Sequence, residues 1–275
     1  MTATRNIGGI EVTALSDGPF PASLDALIDI EPGEVERLTG LAPGAPLVLP
    51  VNAYLVRLGA KRALIDTGCG TTMGAALGQV PNNLRVLGVA PESIDYVLLT
   101  HIHPDHALGL IDANGRAMFP HAELIVHDDE AAFWLNRDAD SGASERIRRN
   151  IGKSQAACAP YRERLRVVRD GEALPGVSAL ALPGHTPGHT GWLVHSSDDA
   201  VLIWGDVVHI PAVQVPRPEA ALVFDVDPEA ARTTRRRIFD RAATERLRVA
   251  GAHLPFPGFG HIMRHGASYR FEPDG

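Results

Sequence analysis

The sequence predicts a layered α/β protein with mixed sheets, and three observations lead there. Short apolar runs such as Ile94 to Thr100 and Leu124 to His127 alternate with helical patterns such as Asp129 to Leu135 and Glu229 to Arg246. Other runs follow one another as hairpins, most clearly Asn52 to Leu58 and Arg62 to Ile65 around Gly59-Ala60-Lys61, which argues against an all-parallel doubly wound sheet. Histidines and aspartates gather in Gly- and Pro-punctuated turns at the ends of these runs, where a rigid scaffold displays ligands.

In chain order, Ile10 to Leu15 reads as the first strand. The segment Asp17 to Pro50, rich in Pro and Gly, reads as a long loop with a short helix around Glu34 to Leu38, the kind of loop that lies over a site. After the hairpin, which ends in Asp66-Thr67-Gly68, helices are predicted over Thr72 to Gln79 and, weakly, around Leu84 to Leu87. The strand Ile94 to Thr100 delivers His101, and a helix is predicted from Ala107 onward. Asn136 to Arg164 is polar, Arg-rich and helical in pattern, and reads as an insertion (136–164) on a single domain spanning 1–275. Leu165 to Val168, Val177 to Leu182, Gly191 to His195 and Ala200 to Trp204 are further strands. The clearest helix, Glu229 to Arg246, leads into the short strand Arg248 to Ala250 and then Gly251-Ala252-His253.

Bulk composition narrows the function. Hydrophobic residues make up 45% of the 275, enough for a large buried core. The charge sum, 26 minus 33, is −7, and the densest basic stretch, Arg232-Thr233-Thr234-Arg235-Arg236-Arg237, reads as the solvated face of a helix. Such a chain has no general attraction for phosphate backbones, so no nucleic-acid partner is expected. Two cysteines, Cys69 and Cys158, are too few for a disulfide framework and fit a reducing compartment. The opening residues lack the apolar core of a secretory signal, and no run of about 18 apolar residues offers a membrane span; a cytoplasmic protein without a membrane partner is the expectation.

The sharpest signal is His101-Ile102-His103-Pro104-Asp105-His106, four metal-capable side chains within six residues directly after an apolar strand. Its plain structural reading is a polar turn in which Asp105 caps a helix. Neutral imidazoles with a carboxylate suit zinc first, with manganese, iron or cobalt as alternatives. Pro183-Gly184-His185-Thr186-Pro187-Gly188-His189-Thr190, Gly205-Asp206 and His253 each follow an apolar run in the same way.

This ordered set, with Asp66 ahead of it, resembles the metallo-β-lactamase superfamily over roughly Asn52 to Phe271. The resemblance implies a four-layer αβ/βα sandwich with two mixed sheets. It implies two divalent metal ions: one on His101, His103 and His189, the other on Asp105, His106 and His253, with Asp206 bridging and Asp66 supporting from behind. In the tandem motif it points to His189 in preference to His185. A hydroxide between two such ions is available near neutral pH and attacks a carbonyl carbon or phosphorus without a serine or cysteine nucleophile.

Asn52-Ala53-Tyr54-Leu55-Val56, Phe133-Trp134-Leu135, Ala212-Val213-Gln214 and His253-Leu254-Pro255-Phe256-Pro257-Gly258-Phe259-Gly260-His261-Ile262 look like the methyl parathion hydrolase branch, which includes lactonases and arylesterases. That resemblance implies a hydrolase of small-molecule lactones or aryl esters with phosphotriesterase side activity, and a homodimer. Trp134 is expected as a pocket wall, with Phe224, Phe259 and Met73 closing or lining the pocket. Asp105 and His209 are expected to take part in catalysis. His209 stands where an organophosphate-degrading member would carry an aliphatic residue, and as a polar donor it suits a carbonyl or leaving oxygen. Competing readings are a glyoxalase-type thioesterase, an iron-dependent oxidoreductase on the same ligand frame, an RNA-processing nuclease, and a non-catalytic metal-binding scaffold.

Overall fold

The computed structural model describes residues 1–42, 44–136 and 145–274. Its first half contributes β1 (Thr2–Ile7), β2 (Ile10–Ser23), the two-residue β3 (Leu27–Ile28), β4 (Pro46–Leu58), β5 (Lys61–Ile65), β6 (Tyr96–Leu98), β7 (Glu123–His127) and β8 (Leu165–Val168). The second half contributes β9 (Gly171–Leu174), β10 (Val177–Ala181), β11 (Thr190–Ser196), β12 (Asp199–Ile203), the two-residue β13 (Ala221–Leu222), β14 (Arg248–Ala250), β15 (Phe259–His265) and β16 (Ser268–Pro273). The helices are α1 (Pro32–Thr39), α2 (Val80–Val86), α3 (Pro104–Ala107), α4 (Asp128–Trp134), α5 (Glu145–Cys158), α6 (Pro211–Gln214) and α7 (Pro228–Glu245).

Two seven-stranded sheets result, ordered β1-β2-β4-β5-β6-β7-β8 and β16-β15-β14-β12-β11-β10-β9. Both are mixed: β5 through β8 pair in parallel, as do β12 and β14, and the remaining pairs are antiparallel.

Alternation along the strands builds the layers. Ala63, Ile65 and Leu98 of the first sheet meet Trp192, Val201 and Ile203 of the second in one buried cluster between the sheets. Leu64, Val97 and Leu99 point the other way, into a cluster with Leu84, Trp134 and Ile151 on α2, α4 and α5. Leu202 and Val249 likewise pack on Ile238 and Phe239 of α7. Helices therefore cover the outer face of each sheet, which is the expected four-layer αβ/βα sandwich. Trp192 Nε1 donates across the inter-sheet core to Leu99 O at 3.1 Å, tying the sheets together just before the His101 turn. Among the described residues no helix is long and apolar enough to cross a membrane.

Four local expectations are corrected. The stretch read as a loop from Asp17 is strand at both ends, since β2 continues to Ser23 and β4 begins at Pro46, while its expected short helix is α1 (Pro32–Thr39). Beyond Ser16, β2 pairs with β4 alone, so Pro19 and Pro21 stand on a free edge where a missing N–H costs little. No helix covers Thr72 to Gln79. Gly74 and Gly78 adopt φ of 132° and 77°, and the buried Asp17 carboxylate accepts from Cys69 N, Gly78 N and Val80 N, which starts the helix at Val80 instead. The helix expected from Ala107 is the single turn Pro104–Ala107 followed by a 3₁₀ turn at Leu108–Leu110. Within the stretch read as an insertion, α5 occupies Glu145–Cys158, and 137–144 lie outside the described residues.

The fourth correction concerns the basic run. Helix α7 is capped by Asp227, whose side chain accepts from Ala230 N, and it buries Ala231, Thr234, Arg235, Ile238, Phe239 and Ala242 at helical spacing. Arg235 is 2% exposed, and its guanidinium donates to the carbonyls of Val207, Pro218 and Ala220. Only part of the run is solvated. Replacing Arg235 by Met should lower unfolding free energy by about 2–4 kcal/mol, because buried carbonyls lose their donor. Arg236→Met should stay within about 0.5 kcal/mol, as exposed substitutions do. Urea unfolding of both variants measures this.

Candidate metal centre

The loops after β5, β6, β10, β12 and β14 meet at one edge of the sandwich. Asp66, at the end of β5, adopts φ of 58°. Its carboxylate accepts from Thr100 N at 2.8 Å and from Thr100 Oγ1 at 2.8 Å, and lies 2.8 Å from His106 Nδ1. Thr67 donates both N–H and Oγ1–H to His106 O, so the turn after β5 holds the turn after β6 at both ends. Pro104 opens α3 without loss of a helical donor, and Asp105 and His106 follow in its single turn.

Outer partners settle which ring nitrogens remain free. Thr100 Oγ1 gives its proton to Asp66, so at 3.1 Å from His101 Nδ1 it accepts, and His101 Nε2 keeps a bare lone pair. His106 Nδ1 faces Asp66, His185 Nδ1 faces Asp225 Oδ1 at 2.8 Å, and His253 Nδ1 faces Pro50 O at 2.8 Å. Each of these rings therefore turns its Nε2 inward, and that nitrogen is the one left to bind once the ring is neutral.

The inward atoms form two groups around Asp206, and His209 joins His185 and Asp206 in a third that overlaps them. His101 Nε2 is 3.0 Å from His103 Nδ1, which is 2.9 Å from His185 Nε2, and Asp206 Oδ2 is 3.5 Å from His101 Nε2 and 3.3 Å from His185 Nε2. On the other side, Asp206 Oδ1 is 3.2 Å from His106 Nε2 and 3.4 Å from His253 Nε2, while Asp105 Oδ2 is 3.5 Å from both rings. Donors placed about 2.0–2.2 Å from a common cation stand about 2.9–3.5 Å apart, so these spacings are the edges of two coordination shells. His106 Nε2 and Asp206 Oδ1 are buried without a hydrogen-bond partner, and the single ring nitrogen of His103 cannot supply a proton to two neighbours. The residues fit two divalent cations sharing Asp206.

Electrostatics point the same way. Burial, and then the neighbouring imidazoles, hold His101 and His103 well below the usual histidine range. Burial also opposes charge on His106, His185 and His253, but the carboxylates around them outweigh it and raise all three. The carboxylates of Asp105 and Asp206, resisted by burial and favoured by these rings, are held well below their usual range. The cluster is built to hold positive charge, and metal ions binding there displace the protons.

His189 is corrected. Its Nδ1 lies 3.1 Å from Leu182 O, and its Nε2 accepts from Asp206 N at 3.0 Å, so both ring nitrogens are spent on backbone. His185 is the residue that stands with His101 and His103 in a group able to hold a metal ion. His209 Nε2 lies 2.9 Å from Asp206 Oδ2, its Nδ1 is buried without a hydrogen-bond partner, and its ring stacks on His253 with centroids 4.9 Å apart. Gln214 Oε1 accepts from His209 N and Ile210 N and fixes this turn.

The description of the metallo-beta-lactamase superfamily matches residues 46–253. The chain belongs to the metallo-β-lactamase superfamily. Over 257 residues it is 25% identical to an N-acyl homoserine lactonase of Bacillus thuringiensis, a match spanning 86% of this chain and 90% of that protein. N-acyl homoserine lactonase AiiB of Agrobacterium fabrum is 32% identical over 186 residues, which cover 58% of this chain and 65% of the relative, less than two thirds of its length. Among solved structures, hydrolase AbOPH of the beta lactamase superfamily superposes with a TM-score of 0.94 at 33% identity, covering 100% of this chain and 97% of that one. The dizinc quorum-quenching lactonase AidC, at 23% identity and a TM-score of 0.92, shares the fold.

Within this superfamily site, the expected pocket residues separate. Trp134 is 0% exposed, packed in the helix–sheet core with its ring 5.2 Å from that of His103; it backs a ligand and lines no accessible wall. Phe259 is 1% exposed in the inter-sheet core, edge-on to Tyr54. Met73 is half-buried against the Val51, Cys69 and Leu77 cluster, and Phe224, next to Asp225, is 41% exposed. Asp105, with 17% of its side chain exposed, is the most open member of the two groups and marks where the site meets solvent. Asp225 and Glu130, both buried carboxylates that face the site loops, carried no local sequence signal. His185→Ala should reduce bound metal from about two to about one ion per chain, whereas His189→Ala should retain about two and lose stability instead. Elemental analysis with thermal melts separates the two.

Proposed function

We propose that this protein is a metal-dependent hydrolase of lactones that holds two zinc ions, with aryl esters as a second substrate class and phosphotriesters as side substrates. The observation that carries the reading is the Asp206 carboxylate, each oxygen facing its own group of bare imidazole nitrogens. The lactonase names of the matched relatives support the substrate class.

Two zinc ions would be held by His101, His103 and His185 on one side and Asp105, His106 and His253 on the other, with Asp206 between, and would supply an ionised water near neutral pH and stabilise charge on a carbonyl oxygen. The chain's own residues do the rest. His209 holds Asp206 Oδ2, and Asp66 holds the ring of His106 and, through Thr100, that of His101. Asp105 stands at the opening, where its carboxylate would take the one proton still carried by the hydroxyl that has added to the carbonyl carbon. It returns that proton to the alkoxide when the ring C–O bond breaks, so a lactone leaves as its hydroxy acid. Met73 and the exposed Phe224 offer apolar surface for the rest of the substrate.

The test is kcat/KM on an N-acyl homoserine lactone, dihydrocoumarin, an aryl acetate and a phosphotriester, with zinc loaded and quantified. Lactone turnover at or above about 10⁴ M⁻¹ s⁻¹ is expected, with the phosphotriester slowest. Chelation should abolish activity and zinc restore it. A fully loaded protein inactive on every lactone and ester would overturn the reading.

A further inference from the structure

Glu130 takes no part in either group around Asp206, yet it is 1% exposed and sits between the two turns that carry His101, His103 and His185. It belongs to α4, beside the helix–sheet core. Its Oε1 accepts from Ile102 N at 2.8 Å, on the peptide that links His101 to His103. Its Oε2 accepts from Thr186 Oγ1 at 2.7 Å and from Gly188 N at 3.1 Å, in the turn that begins at His185. The approach leaves no room for a side chain at Gly188, where an added Cβ would lie 2.0 Å from Glu130 N. From the far side of the first turn, Ser154 of α5 donates to Ile102 O at 2.7 Å. The Ile102 peptide is thus gripped at its N–H by one helix and at its carbonyl by another.

These contacts act on ligand spacing. His103 Nδ1 and His185 Nε2 are 82 residues apart in sequence and 2.9 Å apart in space, and Glu130 joins the residue next to each. Burial pushes the Glu130 carboxyl up to about 7 against the three donors that favour its charged form, so its hold on the two turns rests on these hydrogen bonds.

We propose that Glu130 is a positioning residue that sets the geometry and affinity of the first metal position by fixing the His101–His103 turn to the His185–Gly188 turn, with Ser154 as its counterpart. The proposal rests on the two-metal reading above and is independent of which substrate is hydrolysed.

The test uses Glu130→Gln and Thr186→Val, with Tyr161→Phe as a control. Tyr161 makes a comparable buried clamp, between Phe119 N and Leu110 O, away from both ligand groups. Each variant is titrated with zinc against a competing chelator, and the cobalt-substituted protein is read by its visible ligand-field absorption. Glu130→Gln should weaken binding of one of the two ions about tenfold and change the cobalt spectrum. Thr186→Val should weaken it less, in the same direction. Tyr161→Phe should lower thermal stability while leaving affinity and spectrum unchanged. Wild-type affinity and spectrum in Glu130→Gln would overturn the proposal, as would an equal loss in Tyr161→Phe. Should Glu130→Gln fail to fold, Thr186→Val decides by the same readouts, and its wild-type behaviour would overturn the proposal. Lactone inactivity of a wild-type protein that binds two ions would sink the substrate reading alone.

Discussion

Five imidazole nitrogens lie within 3.5 Å of one buried carboxylate, that of Asp206. Neutral rings turned lone pair to lone pair repel one another, and protonated rings packed this closely do so more strongly. Removing them from water adds a desolvation cost, which the surrounding carboxylates outweigh only at His106, His185 and His253. Cations shared between the two oxygens of Asp206 relieve both terms at once. Hydrogen bonds to Asp66, Thr100, Asp225 and Pro50 hold the rings of His106, His101, His185 and His253 in the orientation that such cations need.

The sandwich exists, in this light, to bring distant segments to one edge without letting them drift. Strand alternation sends Leu98 into the space between the sheets and Leu99 against the helices, so the turn that follows is anchored from both sides. The second sheet contributes Asp206 after β12 and His253 after β14, two adjacent parallel strands joined through α7. Asn52 of β4 donates to Leu254 O, and Tyr54 to Gly251 O, so the first sheet also holds the loop bearing His253. Arg235 does the same for the loop after Asp206, from beneath.

Much of this was legible in the sequence because it is local. Four ligand-type residues in six after an apolar run, and later Gly-Asp and Gly-Ala-His at strand ends, need no tertiary information to stand out. What escaped was decided across the chain. Pro183-Gly184-His185 and Pro187-Gly188-His189 present the same local chemistry, and only the carbonyl of Leu182 and the amide of Asp206 spend His189 on the backbone. Trp134 and Phe259 flank the motifs, but their burial is set by helices and sheets that close over them. Glu130 and Asp225 are carboxylates among thirty-three acidic residues, given meaning only by partners dozens of positions away. Arg235 could have been found: its spacing from Ala231, Ile238 and Ala242 places it on the apolar stripe of α7. The prolines of β2 concealed a strand because only one of its edges is paired there.

The central claim, two cations gripped on either side of Asp206, is tested most directly by anomalous diffraction from crystals of the zinc-loaded protein, recorded above and below the zinc edge. The account predicts two anomalous peaks about 3.5–4 Å apart. One should be bounded by His101, His103 and His185, the other by Asp105, His106 and His253, with an oxygen of Asp206 on each. A single peak, or a peak bound through His189, would contradict it.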